Sequence, residues 1–356
     1  MKKLLKVLII VCIFGVFTLE CSAKTAEDYI GEAGEIVPEE YRDFMIGMGT
    51  GELNIAGLLS EVLSIISGEA PTFVRLLCAF LGVCLLFGVA DGVPERIRIE
   101  TGRAVSVTCA LFVGVSVSDA LLSLSDALAG TGAFFSSAVP VLSAITLAGG
   151  GVNAAAAQAS GMNFILALVG GGFGAVLSVT SGFCFAMGLG ASVGGEGNLA
   201  VGRFSRSLFL WLFGIATALI MGLLSLQTLV AASADSASMR TARYLISGSV
   251  PLVGGTVSAS LSTLASGLSY AKGVVGAGFI AVLFLIFLPP LLLSLCYRLA
   301  LSLASGISSL LGIGGAERCF SSFRSSFDIF IGIYCLGCVL YIFEMVLFIK
   351  SGVAIL

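Results

Sequence analysis

Glu344 stands alone as an acid in an apolar run, flanked by Tyr341, Ile342, Phe343, Met345 and Val346. A carboxylate in such surroundings is costly to ionise, so it marks either a polar pathway or an ion pair, with Lys350 or Arg298 as the available cations. Asp119 and Asp328 are acids in or beside similar runs. They carry the same two readings and a third, a place at the membrane interface, where the cost of the charge is small. Arg240 and Arg243 are three residues apart and share one helix face. If that face lies outside the cytoplasm, the pair breaks the positive-inside pattern and becomes a candidate for binding a partner; the alternative is a surface helix resting on lipid headgroups. Pro251 follows within Ser247–Gly255, a stretch too apolar for a solvated loop and too broken by Pro and Gly for a plain spanning helix. It is expected to bend at the membrane face, where backbone groups need protein or water as partners.

The remaining chemistry-bearing residues narrow the choices by exclusion. The sequence has no histidine, which removes Ser-His-Asp and Cys-His catalysis and the commonest transition-metal ligand. Cys335-x-x-Cys338 falls inside the last apolar run, where zinc or redox chemistry lacks aqueous access. Gly170-x-x-x-Gly174 and Gly190-x-x-x-Gly194 permit close helix approach in a membrane, and no strand precedes them to make a nucleotide loop. No basic stripe suits a phosphate backbone, so nucleic acid is not expected as a partner. Neither a catalytic centre, a cofactor nor a metal is expected.

These residues need a membrane to position them. With 58% hydrophobic and 11% charged residues over 356 positions, against about 25% charged in an ordinary soluble domain, the chain reads as a polytopic membrane protein. Residues 1–23 read as a signal peptide: Lys2, Lys3 and Lys6, an apolar core from Val7 to Leu19, and Cys21-Ser22-Ala23 as the cleavage site. Glu20 stands against a lipoprotein reading of Cys21. Residues 24–71 form an acidic exported segment, with ten acids between Glu27 and Glu69 against Lys24 and Arg42. Leu53, Ile55, Leu58, Leu59, Val62, Leu63 and Ile66 recur there at helical spacing, which predicts an amphipathic lead-in helix over 52–67. Residues 72–356 are the multi-pass domain.

Within it, apolar lengths at 73–90, 104–122, 162–195, 208–230, 274–295 and 329–349 alternate with arginine-bearing turns at 96–103, 203–206 and 298–324. Positive residues in short loops favour the cytoplasm, which leaves the N-terminal segment outside. Ser136–Leu142 and Ser247–Val253 share a Ser-x-x-Val-Pro core, each ahead of a Gly-rich apolar stretch, and suggest a parallel internal repeat of the kind found in transport folds. The Gly-rich stretch within 297–326 reads as a re-entrant segment. The expected fold is all-α: six or seven crossings with two or three re-entrant or interfacial insertions.

Ser225-Leu226-Gln227, Met239-Arg240-Thr241-Ala242-Arg243-Tyr244, Val250-Pro251-Leu252-Val253-Gly254, Lys272-Gly273-Val274-Val275-Gly276 and Tyr297-Arg298-Leu299-Ala300 with Gly312–Gly315 resemble the stage III sporulation protein AE family. The order of signal, acidic exported segment and polytopic region fits as well, although the chain is richer in Gly and Ser over 162–195 than the family pattern. The resemblance implies a membrane component of the mother-cell half of the channel joining mother cell and forespore. Its implied partners are membrane lipid and other stage III sporulation proteins, including a secretion-type ATPase and ring-forming proteins; self-association into a homo-oligomer stays open. The implied location is the mother-cell membrane surrounding the forespore, and the implied role is permease-like or channel-forming. Two other readings stand beside it: a stand-alone secondary transporter gated by the Ser-x-x-Val-Pro elements, and a non-conducting assembly platform.

Overall fold

The computed structural model describes residues 37–39, 41–42, 55–91, 95–193, 197–249 and 254–351. The signal peptide, most of the acidic segment and Pro251 lie outside the described residues. The chain is helical through them: α1 (Ile55–Asp91), α2 (Glu95–Ala148), α3 (Val152–Leu166), a π-helical turn (Ala167–Phe173), α4 (Gly174–Val193), α5 (Gly197–Ser249), α6 (Gly254–Leu310) and α7 (Gly314–Lys350). Counting α3, the π turn and α4 as one rod, six helices are long and apolar enough to cross a membrane.

α7 is the hub. Of its span, 72% is buried inside the protein, against 11% for α5, whose outer face carries Trp211, Leu219, Leu223, Leu226 and Val230 exposed for lipid. α6 returns antiparallel along α7, and the two are fastened by aromatic pairs: Tyr297 stacks on Phe327 at 5.1 Å, and Phe287 meets Tyr334 at 4.8 Å. Tyr341 reaches across to Phe135 of α2 at 4.4 Å. Each such pair contributes about 0.5–1.5 kcal/mol beyond its buried area. Small residues set the closest approaches. Leu210 of α5 occupies the place where a Cβ on Gly332 would stand, and Ile349 of α7 lies 2.5 Å from a Cβ built on Gly276 of α6.

Four prolines sit inside helices: Pro71, at the expected end of the exported segment, Pro140, and Pro289 and Pro290 within the apolar run 274–295. The lead-in helix and the first span are therefore one element, α1. Ser136–Leu142 continues as helix within α2, because Ala138, Val139 and Leu142 are packed into the core and hold the turn that Pro140 weakens. The second Ser-x-x-Val-Pro copy runs to Ser249 as helix, and its residues 250–253 are outside the described residues. Beside Pro289 and Pro290, Phe284, Phe287, Leu288, Leu291, Tyr334, Cys335 and Cys338 line a small apolar cavity, so the Cys-x-x-Cys pair faces hydrocarbon-like side chains.

The stretch expected to be re-entrant, within 297–326, is a tight helical hairpin. α6 runs to Leu310, Gly312 takes φ +74, and α7 starts at Gly314. Gly312 N–H donates to the Ser309 carbonyl and Ile313 N–H to that of Ser308, the paired bonds of a Schellman cap. The cap satisfies the last carbonyls of α6 locally, and the chain reverses between Leu310 and Gly314. Gly150, φ +80, ends α2 in the same way, with Gly150 N–H on Leu147 and Gly151 N–H on Thr146.

Candidate functional site

The contacts sort the charged residues to levels along the bundle. At the end near the Gly312 hairpin, Asp328 of α7 accepts from Arg206 of α5 and Arg298 of α6. The Asp328 side chain is 2% exposed, and the Arg206 and Arg298 side chains 38% and 24%. Asp328 is therefore a buried pin joining three helices. Arg298, one of the two cations considered for Glu344, is held here.

At the opposite end, Asp235 of α5 closes the start of α3. Its Oδ1 accepts from the Asn153 backbone N–H at 3.0 Å and from Nδ2 at 2.9 Å, and its Oδ2 from the Ala154 N–H at 2.7 Å. A helix begins with N–H groups that no helical carbonyl can reach, and α3 has no side-chain cap of its own; Asp235 supplies one from 82 residues away. Lys272 of α6 is 3% exposed, donates to Ser351 Oγ at 3.0 Å and lies 4.7 Å from the centre of the Phe348 ring.

Between these levels sits Glu344, 1% exposed. Its carboxylate fills the space opposite Gly161 of α3: a Cβ there would stand 2.8 Å from Oε1 and 3.2 Å from Leu224 Cδ2 of α5. Glu344 Oε2 has no hydrogen-bond partner among the described residues, and neither do Gln158 Nε2 and Tyr341 Oη. Gln158 Oε1 is engaged, accepting from Thr146 Oγ1 at 3.1 Å.

Of the other candidate residues, Asp119 is exposed on α2 and Arg240 exposed on α5. The side chain of Arg243 and the whole of Pro251 are outside the described residues. The structure thus does not join Glu344, Asp119 and Arg240 into one centre. Sequence reasoning passed over Asp235, Lys272 and Gln158. Lys272 carried a signal, being the sole charge between Arg243 and Arg298; Asp235 and Gln158 lay in polar or Ala-rich runs that mask a buried role.

The arrangement defines the class: a multi-pass helical membrane protein with Asp328 and Asp235 pinned between helices and Glu344 buried without a counter-charge among the described residues. A family model for stage III sporulation protein AE matches residues 38–353, and the chain belongs to that family. It is a sporulation membrane protein. No curated protein and no solved structure matches it.

Proposed function

We propose that the chain is the permease-like or channel-forming membrane subunit of the mother cell to forespore channel complex, in the mother-cell membrane surrounding the forespore, with a secretion-type ATPase and ring-forming stage III proteins as partners. The family membership supports the setting. The observation that carries the reading is the length of the helices. α2, α5 and α6 have 54, 53 and 57 residues, or about 80 Å each at ~1.5 Å per residue, while a bilayer with its headgroups spans about 40–45 Å. A chain that only had to cross would stop near 20 residues; these rods overshoot and offer surface beyond the lipid. On α5 the overshoot continues past Asp235, which is tied to the start of α3, through exposed Arg240. Arg240 and Arg243 are the docking pair in this reading.

The test is charge reversal. R240E/R243E is expected to block forespore development at unchanged protein level and to lose co-purification with the ring components. Unchanged sporulation removes the docking role. The buried Glu344 favours a competing reading as a stand-alone transporter, which predicts solute uptake by proteoliposomes of this chain alone; a complex subunit is inert there. A non-conducting platform predicts co-purification with partners and no solute movement in the reassembled complex.

A further inference from the structure

We propose that the notch between α3, α5 and α7 is a proton-binding site, with the Glu344 carboxylate as acceptor, Gly161 and Leu224 as its walls, and Gln158 as the adjoining polar group. This goes beyond the role in the complex and does not depend on it.

The first argument is the missing counter-charge. α3, the π turn and α4 carry no charged residue at all; α5 carries none between Arg206 and Asp235, α2 none between Asp126 and its end, and α6 none between Lys272 and Arg298. Arg206 and Arg298 are spent on Asp328. Lys272 is turned to Ser351 and the Phe348 ring, with Asp235 within electrostatic reach. On α7 itself the flanking charges are Asp328 and Lys350, and Tyr341 is the titratable neighbour one turn away. Among the described residues, no cation therefore faces the carboxylate from any helix packed on it. An ionised carboxylate left alone at 1% exposure is the costliest arrangement in the bundle, and a proton removes that cost.

The second argument is the pattern of unmet hydrogen bonds. Glu344 Oε2 lacks a partner, and so does Gln158 Nε2, on the same face of α3 as Gly161 and one turn along. One carboxylate and one amide offer fewer oxygens than the six or so a hard metal cation takes, and no group of three potential metal ligands occurs among the described residues. A polar pair borders the notch. Ser160 precedes Gly161, Gln227 stands three residues from Leu224, both are exposed, and Gln227 Nε2 donates to Ser160 Oγ at 2.8 Å. Loading makes one O–H bond on the carboxylate as a hydronium ion gives up its own; unloading returns the proton to water.

The experiment uses the full chain purified in detergent and treated with N,N′-dicyclohexylcarbodiimide, an apolar reagent that attacks protonated carboxyls. The acid oxygen bonds to the carbodiimide carbon while the proton moves to its nitrogen, and peptide mass spectrometry locates the adduct. Glu344 is expected to be modified, with yield falling about tenfold or more between pH ~6 and pH ~10, unaffected by sodium, and absent in Glu344→Gln. No adduct at Glu344 at the lower pH, or a yield that ignores pH, overturns the proposal. Protection by sodium at fixed pH overturns it in favour of a metal cation. If Glu344→Gln does not accumulate, the wild-type pH profile decides alone. Retained modification in a variant that has lost its partners separates this site from the docking reading.

Discussion

Asp328→Ala is the sharpest test of how the bundle is held. The carboxylate is 2% exposed and meets two guanidinium groups, so its removal strands two positive charges at the junction of α5, α6 and α7. Removing one partner of a fully buried pair costs about 3–5 kcal/mol, and a surface pair contributes about 0–1 kcal/mol. Arg206 and Arg298, at 38% and 24% exposure, can turn part-way to solvent or headgroups, which puts the expected loss near 2 kcal/mol, or about 30-fold in the folded ratio. Arg298→Ala, which leaves Arg206 on the carboxylate, should cost about half as much. The double variant should then lose less than the sum of the two, by at least about 0.5 kcal/mol. Unfolding of each purified variant in mixed micelles, followed by size-exclusion retention, measures all three. Strict additivity, or Asp328→Ala within about 0.5 kcal/mol of the parent, would refute the pin.

Other expectations follow from single contacts. Asp235→Ala removes the cap on α3 and should destabilise by about 0.5–2 kcal/mol in the same assay, with Asp235→Asn intermediate; equal stability of all three would count against the cap. Gly332→Ala drives a methyl into Leu210 and should cost about 1–3 kcal/mol, relieved in part by adding Leu210→Ala; an unaffected single variant would show that α5 and α7 are not in close register. Gly312→Ala forces a side chain into φ +74 and should cost about 1 kcal/mol or more, whereas Gly306→Ala, with open space around it, should be neutral or stabilising. A cysteine at Ser247 should react with an impermeant maleimide only from the exported side; reaction solely from the cytoplasm would reverse the orientation.

The helical membrane character was legible because it depends on summed hydrophobicity, and Glu344 was legible because one acid among Tyr341, Phe343 and Met345 has no local excuse. Element ends were harder. Pro71, Pro140 and Pro289 weaken one turn each, but the side chains packed around them decide whether that turn survives, and those neighbours come from elsewhere in the chain. The same holds for partners. Asp328 could not be paired with Arg206, or Asp235 with Asn153, from spacing, since 122 and 82 residues separate them. Gly150 and Gly312 stood in the sequence as glycines among glycines; only the backbone shows which of each cluster carries the positive φ that ends a helix.

The π turn over Ala167–Phe173 has a mechanical consequence. A π turn holds one residue more than the α-helix it interrupts, and each α-helical residue advances the face by about 100°. Here Val169 and Phe173 rest against Gly337, at 3.2 and 3.7 Å from a Cβ built there, while Gly170 and Gly171 have open space around them. Closing the wide turn to plain α-helix would take out that extra residue's worth of winding and turn α4 about its own axis by about 100°, while α3, anchored by Asp235, kept its azimuth. Of the six rods among the described residues long and apolar enough to cross a membrane, this one therefore carries its own swivel joint.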